Sequence, residues 1–97
     1  MVEGVRKLIL TTPVTGYAGC CHAIPKINLT ARLKEIKCPV LVIVGEQDPG
    51  TPPAMAREIH DHAPGSKLVV LPQAAHLSNL EQPEGFSRAL RDFLRSN

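Results

Sequence analysis

The segment Cys38-Pro-Val-Leu-Val-Ile-Val-Gly-Glu-Gln-Asp-Pro-Gly-Thr-Pro-Pro53 decides the fold of this 97-residue chain. Its apolar run, Val40 to Val44, stops at Gly45, and an acid, Asp48, follows shortly afterwards. A continuous run rich in β-branched residues predicts a strand covered on both faces, as in a parallel sheet. Open α/β proteins bind their ligands in the loops beyond the carboxyl ends of such strands. Asp48 is therefore a candidate functional residue.

Residues 38–97 are predicted to alternate strand, helix, strand and helix, which makes the chain an α/β protein. The second strand is predicted over Lys67 to Leu71, and the helices are predicted to begin near Pro53 and Pro83, where proline is tolerated. The predicted buried stripes are Met55, Ile59 and Ala63 in the first helix, and Phe86, Leu90 and Phe93 or Leu94 in the second. A strand–helix–strand unit implies two parallel strands. A sheet of only two parallel strands leaves its faces and edges exposed, and other elements must cover them.

Residues 1–37 are predicted to be helical, with no strand that could join the sheet. The predicted elements are a helix over residues 2–11, a turn from Thr12 to Gly16, a short buried helix from Tyr17 to Ile24 that Pro25 ends, and a helix through Leu29, Leu33 and Ile36 with Asn28 as its N-cap. We therefore divide the chain into a helical part, 1–37, and a βαβα part, 38–97.

Composition excludes several classes of function. The net charge of +2 includes no basic block, so nothing indicates nucleic-acid or membrane binding. The three cysteines do not form an even disulfide framework, and we expect reduced thiols in a cytoplasmic protein. Cys20 and Cys21 are predicted to pack within a helix rather than bind a metal, and His60 and His62 to be surface residues. We expect no metal or cofactor.

A histidine follows the second predicted strand as the acid follows the first. Asp48 and His76 should therefore lie at the same edge of the sheet. A carboxylate there can accept the imidazole Nδ1–H, which leaves Nε2 to act as a base. Acid before histidine is also the order of the last two triad members in α/β-hydrolases. The alternative is a solvated turn aspartate and an unrelated loop histidine. Glu81, at capping-box spacing from Ser78, is predicted to organise the turn after His76.

The combined spacing resembles the C-terminal part of an α/β-hydrolase. The resemblance rests on Pro39-Val-Leu-Val-Ile-Val-Gly45 with Asp48 and Pro52, followed by His76-x4-Glu81-x-Pro83-x2-Phe86. Two further segments, Thr12-Pro13-Val-Thr-Gly16-Tyr-Ala-Gly-Cys-Cys21 and Ala75-His76-Leu-Ser-Asn79, are similar to bacterial 3-oxoadipate enol-lactonases. That family hydrolyses 3-oxoadipate enol-lactone to 3-oxoadipate in the β-ketoadipate pathway of aromatic catabolism.

The resemblance implies a Ser-His-Asp triad in which His76 is the base and Asp48 orients it. It also implies that residues 1–37 correspond to the end of a helical cap over the active site. The chain departs from the family because it contains no Gly-x-Ser-x-Gly motif for the nucleophile and no glycine-rich oxyanion loop. We therefore expect the chain to be inactive by itself.

Two alternatives stay open at this stage. The chain could be a non-catalytic truncated product that covers its exposed sheet edge by forming homo-oligomers or exchanging segments. It could also belong to an α/β-hydrolase that acts on another small ester.

Overall fold

A computed structural model describes all 97 residues of the chain. The helices are α1 (Val2–Thr11), α2 (Val14–Ala23), α3 (Pro53–His62), α4 (Ser78–Glu81) and α5 (Pro83–Arg95), with two 3₁₀ helices at Ile24–Lys26 and Thr30–Glu35. The strands are β1 (Leu41–Gly45) and β2 (Lys67–Leu71). The predicted α/β class is confirmed, and the helical first third contributes no strand.

The two strands form a parallel sheet whose helical crossover is α3. Their register runs from Leu41 opposite Lys67 to Gly45 opposite Leu71. Both strands therefore end at the same edge, and the loops that follow them leave the sheet side by side. Gly65, with φ of +77°, makes the turn between α3 and β2, a conformation that glycine adopts without a side-chain clash.

The core is small because two strands offer little surface to pack against. Only nine of the 97 residues are buried. The stripe predicted on α3 is wrong for Met55 and Ile59, which are 50% and 43% exposed. Ala63 is buried as predicted, together with Ala56. The small side chains of α3 thus face the sheet, and the large ones lie beside it.

Helix α5 covers the sheet through part of its predicted stripe. Phe86 and Phe93 are half-buried, whereas Leu90 and Leu94 are exposed. Of the two alternatives Phe93 and Leu94, it is therefore Phe93 that packs on the sheet, and the prediction is wrong for Leu90. Lys67 lies over the ring of Phe93, with Nζ 5.9 Å from the ring centroid.

Helix α2 differs from its prediction in position and in burial. It begins at Val14, within the predicted turn, because Pro13 in an extended conformation already ends the preceding segment and starts the new helix. All ten of its residues are exposed, including Cys20 and Cys21, which contradicts the predicted buried helix and its packed cysteines. The small Gly, Ala and Cys side chains would suit close packing, but nothing in the chain packs over them.

The segment after α2 is also less regular than predicted. Thr30–Glu35 is a 3₁₀ helix rather than an α-helix, and Leu29, not Asn28, occupies its N-cap position. In a 3₁₀ helix side chains three residues apart are eclipsed, which brings Arg32 Nε within 3.0 Å of Glu35 Oε2.

The chain as a whole is open. Its Cα radius of gyration is 15.3 Å, whereas a compact domain of this length has a radius of about 12.5 Å. Large apolar side chains of α1 and α2, among them Ile9, Val14 and Tyr17, are two-thirds or more exposed. None of the helices has the length and apolar character that crossing a bilayer requires.

Candidate active site

Asp48 lies in a tight loop directly after β1. Its side chain is only 5% exposed. Oδ1 accepts hydrogen bonds from the backbone N–H groups of Gly50 (3.1 Å) and Thr51 (3.0 Å). Oδ2 accepts a hydrogen bond from the Thr51 hydroxyl (2.7 Å). The loop sequence therefore supplies three of the donors that this buried carboxylate needs.

His76 reaches the same carboxylate from the loop that follows β2. Its Nδ1 lies 2.9 Å from Asp48 Oδ2, and its side chain is 67% exposed. Because an ionised carboxylate has no hydrogen to donate, Nδ1–H is the donor and the imidazole is held in that tautomer. The structure thus brings together the two residues that the sequence singles out.

Three backbone contacts fix the loop of His76 against the loop of Asp48. Gln47 N–H donates to the Ala74 carbonyl at 2.9 Å, and Glu46 N–H donates to the Leu71 carbonyl at 2.9 Å. Gly45 lies so close beneath this segment that a Cβ there would be 2.5 Å from the Ala74 oxygen. Only glycine permits this approach of the two loops.

Glu81 secures the same loop from the other side. Its Oε2 accepts the backbone N–H of Ala75 at 2.8 Å, so the prediction that Glu81 organises this turn is confirmed. The predicted capping box is wrong, because α4 begins at Ser78 itself and Leu77 occupies the N-cap position without a side-chain hydrogen bond. The carboxylate binds a loop N–H instead of a helix terminus.

The hydrogen bonds around Asp48 determine its charge. They lower the pKa of its carboxyl from 3.8 to about 2, chiefly through the backbone N–H of Thr51, against the opposing effect of burial. The Thr51 hydroxyl, His76 and the backbone N–H of Gly50 lower it further. Asp48 is therefore an anion throughout the neutral pH range. An anion at Nδ1 orients the imidazole and stabilises its protonated form, so Nε2 can accept a proton from a reacting group.

A groove of about 320 Å³ opens beside the pair. Val42, Val44, Met55 and Ile59 contribute to its apolar lining, and His76 lies at the polar part. The exposed large side chains of α3 are thus part of the surroundings of the site.

Thr51 is the member of the site that the sequence interpretation missed. Its spacing from Asp48 is the signal that could have found it, since a side-chain carboxylate in a turn commonly accepts N–H groups two and three residues onward. A hydroxyl at the second of these positions adds a donor for the other carboxylate oxygen.

The remaining candidate residues lie outside the site. His60 is half-buried, not on the surface as predicted: its Nδ1 lies 2.7 Å from Ser66 Oγ, which donates to the His60 carbonyl at 3.1 Å. The single hydroxyl proton of Ser66 is thus donated to the His60 carbonyl, and Ser66 closes the end of α3. His62 is exposed, with Nδ1 2.8 Å from the Glu58 carbonyl oxygen. No three His, Cys, Asp or Glu side chains converge in a manner that could hold a metal ion.

Comparison with known proteins identifies the family. An α/β-hydrolase family model described as TAP-like protein matches residues 10–97. The chain is 41% identical to 3-oxoadipate enol-lactonase 2 of Acinetobacter baylyi over 95 residues, which are 98% of this chain and 35% of that protein. The chain therefore belongs to the α/β-hydrolase family, as the sequence resemblance predicts.

A solved structure and a second relative are also similar to the chain. The enol-lactonase from Burkholderia xenovorans LB400 superposes with a TM-score of 0.91 at 35% identity, covering 96% of this chain and 35% of that one. A pimeloyl-(acyl-carrier protein) methyl ester esterase of Neisseria meningitidis serogroup C is 44% identical over 62 residues, which are 64% of this chain and 24% of that protein. The chain spans about a third of the length of the enol-lactonases, and these relatives are ester and lactone hydrolases.

Proposed function

We propose that this chain carries the acid and the base of a Ser-His-Asp triad that hydrolyses a lactone or ester. The observation that carries the proposal is the 2.9 Å contact between Asp48 Oδ2 and His76 Nδ1, where two adjacent parallel strands end. A buried, ionised acid bonded to an exposed imidazole is the arrangement that such a base requires.

The proposed nucleophile is a serine outside these 97 residues. Nε2 of His76 takes the proton of that serine as its oxygen attacks the substrate carbonyl. Asp48 stabilises the imidazolium that forms, and His76 then returns the proton to the leaving oxygen. In the second half of the reaction, His76 deprotonates the water that attacks the acyl-serine carbonyl, and it returns the proton to the serine oxygen as the bond between the acyl carbon and that oxygen breaks.

The proposed substrate is 3-oxoadipate enol-lactone. Its support is the similarity to enol-lactonases over nearly all of the chain, including residues 1–37, which we interpret as the end of the cap. The groove beside His76 could take the apolar part of such a small molecule. No metal or cofactor takes part in the proposed chemistry, and the three free thiols fit the reducing cytoplasm. The similarity to the Neisseria esterase supports a different small ester as the alternative substrate.

A chimeric enzyme tests the proposed roles. The chain replaces the matching 95 residues of the Acinetobacter enol-lactonase, and hydrolysis of the enol-lactone and of a small methyl ester is measured. We expect an active chimera, which His76→Ala inactivates by several orders of magnitude and Asp48→Asn by about 10⁴-fold in kcat. His62→Ala, a substitution of an exposed histidine away from the site, is the matched control and should leave the rate unchanged. A folded chimera that is equally active with and without His76 would refute the assignment.

The isolated chain provides the second arm of the test. We expect no turnover of p-nitrophenyl acetate, because the chain has neither the elbow serine nor the oxyanion loop. Turnover that His76→Ala abolishes would overturn this expectation.

The open shape favours a second candidate function, in which the chain associates with copies of itself. Each strand has one edge without a strand partner, and α1 and α2 expose large apolar side chains. An exposed strand edge readily pairs with another chain. Light scattering after size-exclusion chromatography should then give a mass above 10.5 kDa. A stable, well-folded monomer would contradict this candidate.

A further inference from the structure

The hydroxyl of Thr51 touches both members of the acid–base pair. It lies 2.7 Å from Asp48 Oδ2 and 3.2 Å from His76 Nδ1, and these two atoms are 2.9 Å apart. The three polar atoms therefore form a closed triangle. Thr51 also donates its own backbone N–H to Oδ1 of the same carboxylate at 3.0 Å.

The count of protons assigns a direction to each contact. A carboxylate can only accept, so the Thr51 hydroxyl proton points to Oδ2, and Nδ1–H of His76 points to Oδ2 as well. The lone pairs of the Thr51 oxygen are then free to accept a second, weaker share of Nδ1–H. With Gly50 N–H on Oδ1, the carboxylate accepts two hydrogen bonds on each oxygen, which fills its usual acceptor positions.

The four hydrogen bonds to the Asp48 carboxylate come from two different parts of the chain. Three of the four come from Gly50 and Thr51 within the same loop, and only the fourth comes from His76. If Thr51 lacked its hydroxyl, the only remaining donor to Oδ2 would be the exposed imidazole that the carboxylate is meant to orient. The hydroxyl is therefore the part of the loop that fixes Oδ2 independently of His76.

We propose that Thr51 is a positioning residue, whose hydroxyl and backbone N–H together hold the Asp48 carboxylate with Oδ2 directed at Nδ1 of His76. This inference rests on the proposed function for its catalytic meaning, since an oriented imidazole is what proton transfer requires. The geometry itself can be tested without any reaction.

The test compares Thr51→Val with Thr51→Ser in the full 97-residue chain, labelled with ¹³C and ¹⁵N for NMR. Valine keeps the branched shape and the backbone N–H but removes the hydroxyl, whereas serine keeps the hydroxyl. Two quantities are measured: the pKa of Asp48 from its carboxyl ¹³C signal, and the rate at which the His76 Nδ1 proton exchanges with water.

We expect Thr51→Val to raise the pKa of Asp48, because the ionised carboxylate loses a donor. We also expect exchange of the His76 Nδ1 proton to be about threefold to tenfold faster, the effect of one ordinary hydrogen bond. Thr51→Ser should restore both quantities. A role confined to stabilising the turn would change the unfolding midpoint and leave these two signals as they are in the unsubstituted chain.

A folded Thr51→Val variant with an unchanged pKa and exchange rate would overturn the inference, as would a serine variant that fails to restore them. If the valine variant does not fold, a measurement on the unsubstituted chain tests the proposal instead. Its Thr51 hydroxyl proton must exchange more slowly than those of Thr15 and Thr30, whose hydroxyls make no hydrogen bond, and exchange at the same rate refutes the proposal.

The same spectra separate this inference from the proposed function. If Asp48 titrates normally and His76 shows no protected Nδ1 proton in the unsubstituted chain, the pair itself is absent and the proposed function fails. If the pair is present but insensitive to Thr51→Val, only the role of Thr51 fails.

Discussion

Replacing Gly45 with alanine should separate the two loops of the site. A Cβ at this position would lie 2.5 Å from the Ala74 carbonyl oxygen, 2.7 Å from its carbon, and closer still to the carbonyl oxygen of Ala75. All three are backbone atoms, so no side chain can rotate away. The segment that leads to His76 must therefore move by about 1 Å to reach an ordinary contact distance.

This displacement determines the expected loss in the free energy of unfolding. Overpacking of this kind costs about 1–3 kcal/mol, and loss of the bond from Gln47 N–H to the Ala74 carbonyl adds about 0.5–1.5 kcal/mol. We expect Gly45→Ala to lower the free energy of unfolding by about 1.5–4.5 kcal/mol. A chain of this length and small core has a total of only about 5 kcal/mol at the low end of the usual range. The contact between Asp48 Oδ2 and His76 Nδ1, now 2.9 Å, should also exceed hydrogen-bonding distance.

Urea unfolding followed by circular dichroism measures the stability, and the His76 Nδ1 proton signal reports the pair. Gly50→Ala, in the loop that follows β1, is the matched control, because a Cβ there would meet only Asp48 Oδ1, at 3.9 Å. We expect that variant to lose less than about 1 kcal/mol, as surface substitutions do. A Gly45→Ala variant that is as stable as Gly50→Ala and keeps the protected Nδ1 proton would refute this prediction.

Three further predictions concern Asp48, Glu81 and the turn that precedes β2. The pKa of Asp48 in the folded chain, about 2, lies below its ordinary value of 3.8, so its contribution to stability is complete above about pH 5 and is lost as the pH falls from about 5 to 2. Urea midpoints should fall over this interval, and Asp48→Asn should remove that part of the slope; an equal slope in both proteins would contradict the pKa. Glu81→Gln should weaken the bond to Ala75 N–H and cost about 1–2 kcal/mol by urea unfolding, whereas Glu58→Gln on an exposed helix face should be near neutral. Equal stability of these two variants would exclude the proposed anchoring. Gly65→Ala should cost about 1–2 kcal/mol, because its φ of +77° strains any residue with a Cβ, and thermal unfolding at an unchanged midpoint would contradict this.

The βαβα part could be predicted from the sequence because its signals are local. The apolar run before Gly45 and the proline near the start of each long helix mark their elements, and the boundaries of β2 agree with the prediction. That Asp48 and His76 lie at the same edge of the sheet follows from topology, since parallel strands end at one edge. The 2.9 Å contact between them also depends on the loop hydrogen bonds, which the strand pattern does not predict. Their catalytic role stays a proposal.

Burial was harder to predict, because it depends on what lies opposite each residue. Periodicity marks Met55 and Ile59 as apolar positions on one face of α3, but two strands are too narrow to cover them. The small residues of α2 likewise predict close packing, yet all of them are exposed. The hydrogen bond that Ala75 N–H donates to Glu81 joins a loop to the end of α4, and a sequence motif defined within a single helix misplaces the partner of Glu81.

The origin of the hydrogen bonds to Asp48 has a consequence for the entropy of assembling the site. Thr51 lies three residues from the carboxylate it binds, whereas His76 lies 28 residues away. On a flexible-chain estimate, closing the longer loop costs about 2 kcal/mol more than closing the shorter one. The acid can therefore be oriented by its own turn while the histidine is still distant. Changing the length of the crossover between the two loops should therefore alter the free energy of forming the contact between His76 and Asp48. The same change should leave the orientation of the Asp48 carboxylate unaltered.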